Sequence, residues 1–158
     1  MKEMRRHDRE VTDYQQIIDI IRQSQILHLA MAVGDEPYLV PLNYGFEADH
    51  DHLTIYFHCA KAGQKIAMIE QNPRVCFAIN NHHELITGAT ACAYSYKYQS
   101  VIGKGTAVFL SDPLQKAHGM NCLMHQLTGK EWSFTESQLA TVLIGKIDVT
   151  EISGKQKA

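Results

Sequence analysis

Apolar residues recur along this chain at two periods, and the switches between them mark out its elements. Tyr14, Ile17, Ile18 and Ile21 share one helical face behind a cap at Thr12 or Asp13, which predicts a first helix. Ile26–Val33 follows as an apolar strand and Gly34-Asp35-Glu36-Pro37 as a turn. Residues 38–46 read as a second strand interrupted by Pro41; a proline there calls for an edge, a bulge or a ligand beside the backbone. A polar turn over 47–51 leads into the β-branched and aromatic run 53–57, a third strand of an antiparallel meander.

The period then changes. Ala62, Ile66 and Ile69 recur at helical spacing from a start near 60–62, and Asn72-Pro73 stops the run. Residues 74–79 form another strand, 87–95 a small polar loop, and 96–110 a long strand that Gly103 and Gly105 allow to bulge and bend. Ser111-Asp112-Pro113 opens a helix over 114–127 with Leu114, Ala117, Met124 and Leu127 inward, and Thr128-Gly129 ends it. Residues 142–152 close the fold. Six strands, mostly adjacent in sequence, and three helices predict a mainly β domain: a small antiparallel barrel with flanking helices.

Composition narrows the class. The 158 residues suit a single domain over 1–158, with a charged arm over 1–10. A 45% hydrophobic, 20% charged chain of net charge −2 offers no basic excess for nucleic acid. No apolar run approaches the ~20 residues that span a bilayer, and the N-terminus lacks the apolar core of a signal peptide. Cys59, Cys76, Cys92 and Cys122 are widely spaced, without a Cys-x-x-Cys, and read as reduced thiols of a cytoplasmic protein.

The candidate chemistry gathers where the strand 53–57 turns into a helix. A helix N-terminus presents free N–H groups and favours an anion. Here it carries Lys61, Gly63 and Lys65, preceded by His58 and Cys59: point charges for a phosphate and a small residue that lets it approach. Solvated lysines on a surface helix are the alternative. Cys59 could be acidified at that terminus, but with no second cysteine nearby it reads as a packing residue. Metal ligation needs three or four convergent ligands. His50-Asp51-His52 and His82-His83 do not supply them, so no metal site is expected and these read as solvated turn histidines. His28, inside an apolar strand, reads as a core histidine, while His118 and His125 share a helix face that could meet a second subunit. Trp132 could cover a pocket or pack a loop.

Several stretches together resemble the pyridoxamine 5′-phosphate oxidase-like flavoproteins. They are Tyr38-Leu39-Val40-Pro41-Leu42-Asn43-Tyr44-Gly45, residues 53–65, Asn72-Pro73-Arg74-Val75-Cys76-Phe77, Tyr98-Gln99-Ser100-Val101-Ile102-Gly103-Lys104-Gly105 and Glu151-Ile152-Ser153-Gly154-Lys155. Their order, and the charged start Met4-Arg5-Arg6-His7-Asp8-Arg9-Glu10, is most similar to the 5-nitroimidazole-resistance subgroup. The resemblance implies a six-stranded split β-barrel that forms a homodimer and holds FMN at the subunit interface. Val40, Pro41, Leu42, Asn43 and Tyr44 would lie along the isoalloxazine, with backbone groups meeting its polar edge. His58, Cys59 and Ala60 would border the ring and ribityl chain. Lys65, with Lys61, would hold the phosphate, and Gln99, Ser100 and Val101 would reach in from the long strand. The arginine-rich phosphate strand and substrate-binding C-terminus of true pyridoxamine phosphate oxidases are missing, which argues against pyridoxine chemistry.

Two kinds of function follow. One is an FMN-dependent oxidoreductase passing electrons to a small nitro or similar acceptor, with His58 either the proton donor, since an imidazole titrates near neutral pH, or only a hydrogen-bond partner of the flavin or of a backbone carbonyl. The other is a non-catalytic flavin-binding or haem-binding protein on the same barrel. No glycine fingerprint for a dinucleotide is present to name the electron donor.

Overall fold

The computed structural model of the chain describes residues 4–157; residues 1–3, part of the charged arm, and residue 158 lie outside the described residues. Eight strands run β1 (Glu10–Val11), β2 (Ile26–Val33), β3 (Glu36–Asn43), β4 (Gly45–Asp49), β5 (His52–Cys59), β6 (Arg74–Ile86), β7 (Ser95–Phe109) and β8 (Leu143–Lys157). The helices are α1 (Tyr14–Arg22), α2 (Gln64–Gln71), α3 (Pro113–Thr128) and α4 (Glu136–Leu139). Every pairing is antiparallel, in the order β3-β2-β6-β7-β8-β5-β4, with β1 also on β8. The mainly β class with flanking helices agrees with the sequence; the count of six strands does not.

Tyr44 accounts for part of that difference. The expected strand over 38–46 is two strands, because Tyr44 between them is fully buried and its hydroxyl donates to Ile21 O at 2.6 Å and Ser24 O at 3.2 Å. The chain is thereby pinned to the C-terminal end of α1 and changes direction. The expected turn over 47–51 shrinks to His50 and Asp51, with His50 in left-handed backbone at φ 35°.

β3 and β4 stand at opposite ends of the strand order although only Tyr44 separates them in sequence. The sheet must therefore curl until its two edges meet. The closure is incomplete. β4 pairs with residues 52–56 of β5, so residues 57–59 have no partner on that side, while β3 pairs only with β2. β3 does touch β5. The seam between them is the split in the barrel. Pro41 lies in β3 with its register to β2 unbroken from Glu36 to Asn43, so it occupies an edge and not a bulge.

The β7–β8 ladder shifts register between Lys104 and Gly105, but the extra residue is Thr150, so the bulge lies on β8 opposite the glycines and not in β7 as the sequence indicates. Gly103 serves another purpose, since a Cβ there would lie 2.2 Å from the Phe77 ring. β6 continues past residue 79 to Ile86, with a register shift between Asn81 and Glu84 where His82 adopts φ 53°. β8 likewise continues to Lys157. These polar extensions are held by backbone pairing with β7, not by buried side chains, so apolar periodicity does not reveal them.

Leu27, Leu29, Phe57, Phe77, Ile79, Val101 and Ile147 fill the barrel. α1 closes one end through Ile17, Ile18, Ile20 and Ile21 behind an Asp13 cap. α3 lies over β4 and β5, but it buries Gly119 and Leu123, while Leu114 in its first turn is 81% exposed, contrary to the periodicity. α4, with a Thr135–Gln138 capping box, was not expected. Among the described residues, no helix is long and apolar enough to cross a membrane.

Candidate functional site

The chain from His58 to Lys65 leaves the end of β5 and enters α2. α2 in turn lies over the β2–β3 turn, where Gln64 Nε2 donates to Glu36 Oε1 at 3.0 Å and Asn72 Nδ2 to Ala32 O at 2.8 Å. This places the strand end and the helix start on the side of the fold where β3 is unpaired. Gly63, at φ +147°, caps α2 without any side-chain bond to its first turn. A Cβ at Gly63 would meet nothing within 4 Å. Ile66 N donates to Gly63 O at 3.1 Å, which leaves the N–H groups of Gln64 and Lys65 beside Lys61, which is exposed, and the Lys65 side chain, which is half-buried. Open amides, a position without steric cover and two cations fit a phosphate. The helix itself starts at Gln64, later than the sequence indicates.

The expected cofactor residues divide by face. Partners directly opposite in a ladder share a face. Val40 and Leu42 stand opposite Leu29 and Leu27, which are fully buried, so their side chains turn into the barrel. Pro41 and Asn43 are exposed on the outer face, and Asn43 Nδ2 reaches Gln25 O at 3.2 Å. Tyr44 is committed to the core, where burial pushes its phenol up. In β7, Val101 and Gln99 turn inward and Ser100 outward. Gln99 Nε2 donates to Gln156 Oε1 at 3.3 Å, and its Oε1 is buried without a hydrogen-bond partner. For Val40, Leu42, Tyr44 and Val101, any ligand contact falls to the backbone.

His58 and Ala60 are exposed, and Cys59 is buried between them. Burial pushes the Cys59 thiol up, with the Lys65 charge acting in the opposite direction. An acidified thiol is therefore not what this helix start produces.

The outer face of β2, β3, β6 and β7 is unusually apolar for solvent. One row across it reads Pro41, His28, Ala78, Ile102 and Ser153, and the next reads Leu39, Ala30, Cys76, Lys104 and Glu151. Leu39 is 59% exposed, Ile102 47% and Ile26 42%. His28 belongs to this face, half-buried, and not to the core as its apolar neighbours suggest; strand alternation turns it outward from Leu27 and Leu29.

A 410 Å³ groove on this face is lined by Ala30, Cys76, Lys104 and Glu151, and two further clefts lie away from it. A 610 Å³ cleft opens between α1, β4 and α3, lined among others by Arg22, Phe46, Glu47, Cys122 and His125. A 260 Å³ cavity on the other side of α3 is bounded by Tyr56, Leu114, His118 and Lys146. Between them Glu47, His118 and Cys122 converge, a cluster that the sequence does not announce because 71 positions separate Glu47 from His118. The four-residue spacing of His118 and Cys122 is its local trace in the sequence, where His118 reads instead as sharing a face with His125. Burial pushes the Glu47 carboxyl up, but bonds from Tyr56 and His118 more than reverse this and hold it below its ordinary value. The Cys122 thiol is pushed up to about 11 by burial and by the Glu47 charge.

Fold and seam together define a split-barrel protein. A family model described as pyridoxamine 5′-phosphate oxidase matches residues 13–156, and the chain belongs to that family. Among solved structures it is similar to a candidate 5-nitroimidazole antibiotic resistance protein from Bacteroides thetaiotaomicron VPI-5482. The two are 29% identical with a TM-score of 0.81, over 93% of this chain and 86% of that one. A flavocytochrome from Azotobacter vinelandii (18% identity, TM-score 0.82, 99% of this chain and 72% of that one) shares the fold. So does an FAD- and haem-binding protein from Mycobacterium smegmatis (14%, 0.81, 94% and 73%). No curated protein matches the sequence.

Proposed function

We propose that this protein is an FMN-dependent oxidoreductase that reduces small nitro or similar acceptors, acting as a homodimer. The observation that carries the cofactor assignment is the uncapped, glycine-started N-terminus of α2 with Lys61 and Lys65 beside it, next to an unpaired strand. The likeness to the Bacteroides protein supports the acceptor class. FMN, when bound, supplies the electron transfer. Lys65 and Lys61 hold the phosphate with the open amides of α2. The free backbone edge at Val40–Asn43 meets the polar rim of the ring, with Pro41 removing one N–H there. His58, exposed at the end of β5, holds a proton for the acceptor. The apolar outer face around Ile102 packs against a second copy and excludes water from the shared sites.

Lys65→Ala tests the cofactor assignment. It removes a charge-assisted bond of on the order of 1.5–3 kcal/mol, so FMN should bind roughly ten-fold or more weakly by fluorescence titration. Riboflavin, lacking the phosphate, should be unaffected. Equal loss of both flavins would make Lys65 a support of the fold instead.

His58→Gln tests the chemistry. FMN affinity should persist while nitroimidazole turnover falls roughly 100-fold and its pH profile flattens. Wild-type rate and profile would make His58 a wall residue.

A second reading, a haem-binding or non-catalytic flavin protein, has one observation in its favour: the half-buried imidazole of His28 on the outer face. A Soret band on the purified protein, in place of a flavin spectrum, would select it.

A further inference from the structure

We propose that Glu47, His118 and Cys122 form a binding site for a zinc-class divalent cation, with three protein ligands and one position left open. The site is separate from the flavin groove and does not depend on it.

The geometry arises from two elements. His118 and Cys122 stand four apart on α3 and so project from the same face. Glu47 comes from β4, which passes so close beneath α3 that a Cβ on Gly45 would lie 2.2 Å from the backbone at Cys122 and Leu123. The three ligand atoms all fall within 4.8 Å of one another. His118 Nε2 is 3.6 Å from Cys122 Sγ and 2.8 Å from Glu47 Oε2. Ordinary zinc–nitrogen and zinc–sulfur bonds place those two atoms about 3.5 Å apart in a tetrahedron, so neither helix side chain needs to move. The carboxylate oxygen must withdraw from the imidazole nitrogen by about 0.5 Å.

The surroundings suit a ligand set and not merely a hydrogen-bonded cluster. The Tyr56 hydroxyl donates to Glu47 Oε1, the oxygen that the cation would not use. The Tyr56 ring also stands edge-on to the His118 imidazole, with centroids 5.6 Å apart. Such outer contacts fix the orientation of metal ligands. Gly119 permits the approach, since a Cβ there would meet the Tyr56 ring at 2.9 Å. Carboxylate and thiolate together neutralise a dication. Lys146, whose charge acts on Glu47, is itself paired with Asp148 at 2.9 Å. One sulfur, one nitrogen and one oxygen favour zinc over magnesium or calcium. The clefts on either side of the cluster give the ion and a fourth ligand access. On binding, the Cys122 thiol releases its proton to solvent. A neutral His118 ring that gives its Nε2 lone pair to the ion carries its proton on Nδ1.

Titration of the metal-stripped full-length protein with cobalt(II) tests this. Wild type should take up one equivalent per chain, with an intense tetrahedral visible spectrum and a thiolate charge-transfer band, and zinc should displace it. Cys122→Ser should lose the charge-transfer band and bind zinc at least roughly 100-fold more weakly, and Tyr56→Phe roughly ten-fold more weakly. Circular dichroism confirms that each variant is folded. Should Cys122→Ser fail to fold, Glu47→Gln, which keeps a hydrogen-bonding amide in place, should show the same loss of zinc affinity. His82→Asn with His83→Asn, an exposed pair, should change nothing. A weak octahedral spectrum in the wild type, or uptake that survives in the folded Cys122→Ser or Glu47→Gln variant, would overturn the site.

Discussion

Gly45→Ala is expected to lower the melting temperature by roughly 6–12 °C, the largest effect of any single-methyl change in the fold. The added carbon would sit 2.2 Å from Cys122 C and Leu123 N and 2.4 Å from Cys122 O. These are helix backbone atoms, so no side chain can rotate out of the way, and either β4 or α3 must shift. Overpacking of this kind costs at least about 3 kcal/mol. Gly34→Ala provides the contrast. Gly34 has φ +58° with nothing within 4 Å of its Cβ position, so only the left-handed backbone is penalised, by roughly 1–2 kcal/mol. A thermal melt that ranks Gly34→Ala as the more damaging would show that α3 and β4 are not in contact at Gly45. Displacing α3 should also separate His118 and Cys122 from Glu47, so the cobalt spectrum is expected to weaken with the melting temperature.

Ile102→Glu is expected to convert the proposed dimer to monomers and to release the FMN proposed to bind at its interface. Ile102 is 47% exposed in the single chain, in the middle of the row that runs from Pro41 through His28 and Ala78 to Ser153. If that face meets a second copy, two unpaired carboxylates are buried about the two-fold axis. An uncompensated buried charge costs on the order of 3–5 kcal/mol, or roughly 10²–10⁴-fold in the dissociation constant. Sedimentation velocity gives the mass, and absorbance of the protein after gel filtration gives the retained flavin. A dimer unchanged by the substitution would move the interface to another face. A monomer that keeps its FMN would show that one subunit completes the site.

Local signals were legible wherever a few neighbouring residues decide the outcome. Asp13 and Asp112 cap their helices by accepting from Gln15 N and Gln115 N, Pro113 occupies the first turn of α3, and Gly129 ends it in left-handed backbone. The strand-to-helix switch after Cys59 was also legible, though the helix starts at Gln64 and not near 60–62, because the residues that make the switch are adjacent in the chain. The apolar run of β2 and the β-branched and aromatic run of β5 marked those strands for the same reason.

What only the tertiary structure decided involves residues far apart in the chain. Tyr44 divides one apparent strand into two because carbonyls of Ile21 and Ser24 stand over it, more than 19 positions upstream. The ends of β6 and β8 are paired through polar residues that bury little, so no hydrophobic pattern marks them. His28 faces outward although its neighbours are apolar, and Leu114 is exposed although its spacing is that of a buried stripe, because covering depends on what lies opposite. The cluster of Glu47, His118 and Cys122 exists only because β4 crosses beneath α3 at a glycine. Backbone preferences and caps act over a few bonds and can be read from a sequence. Which faces are covered and which side chains converge is set by the closure of the sheet, and that is a property of the assembled chain.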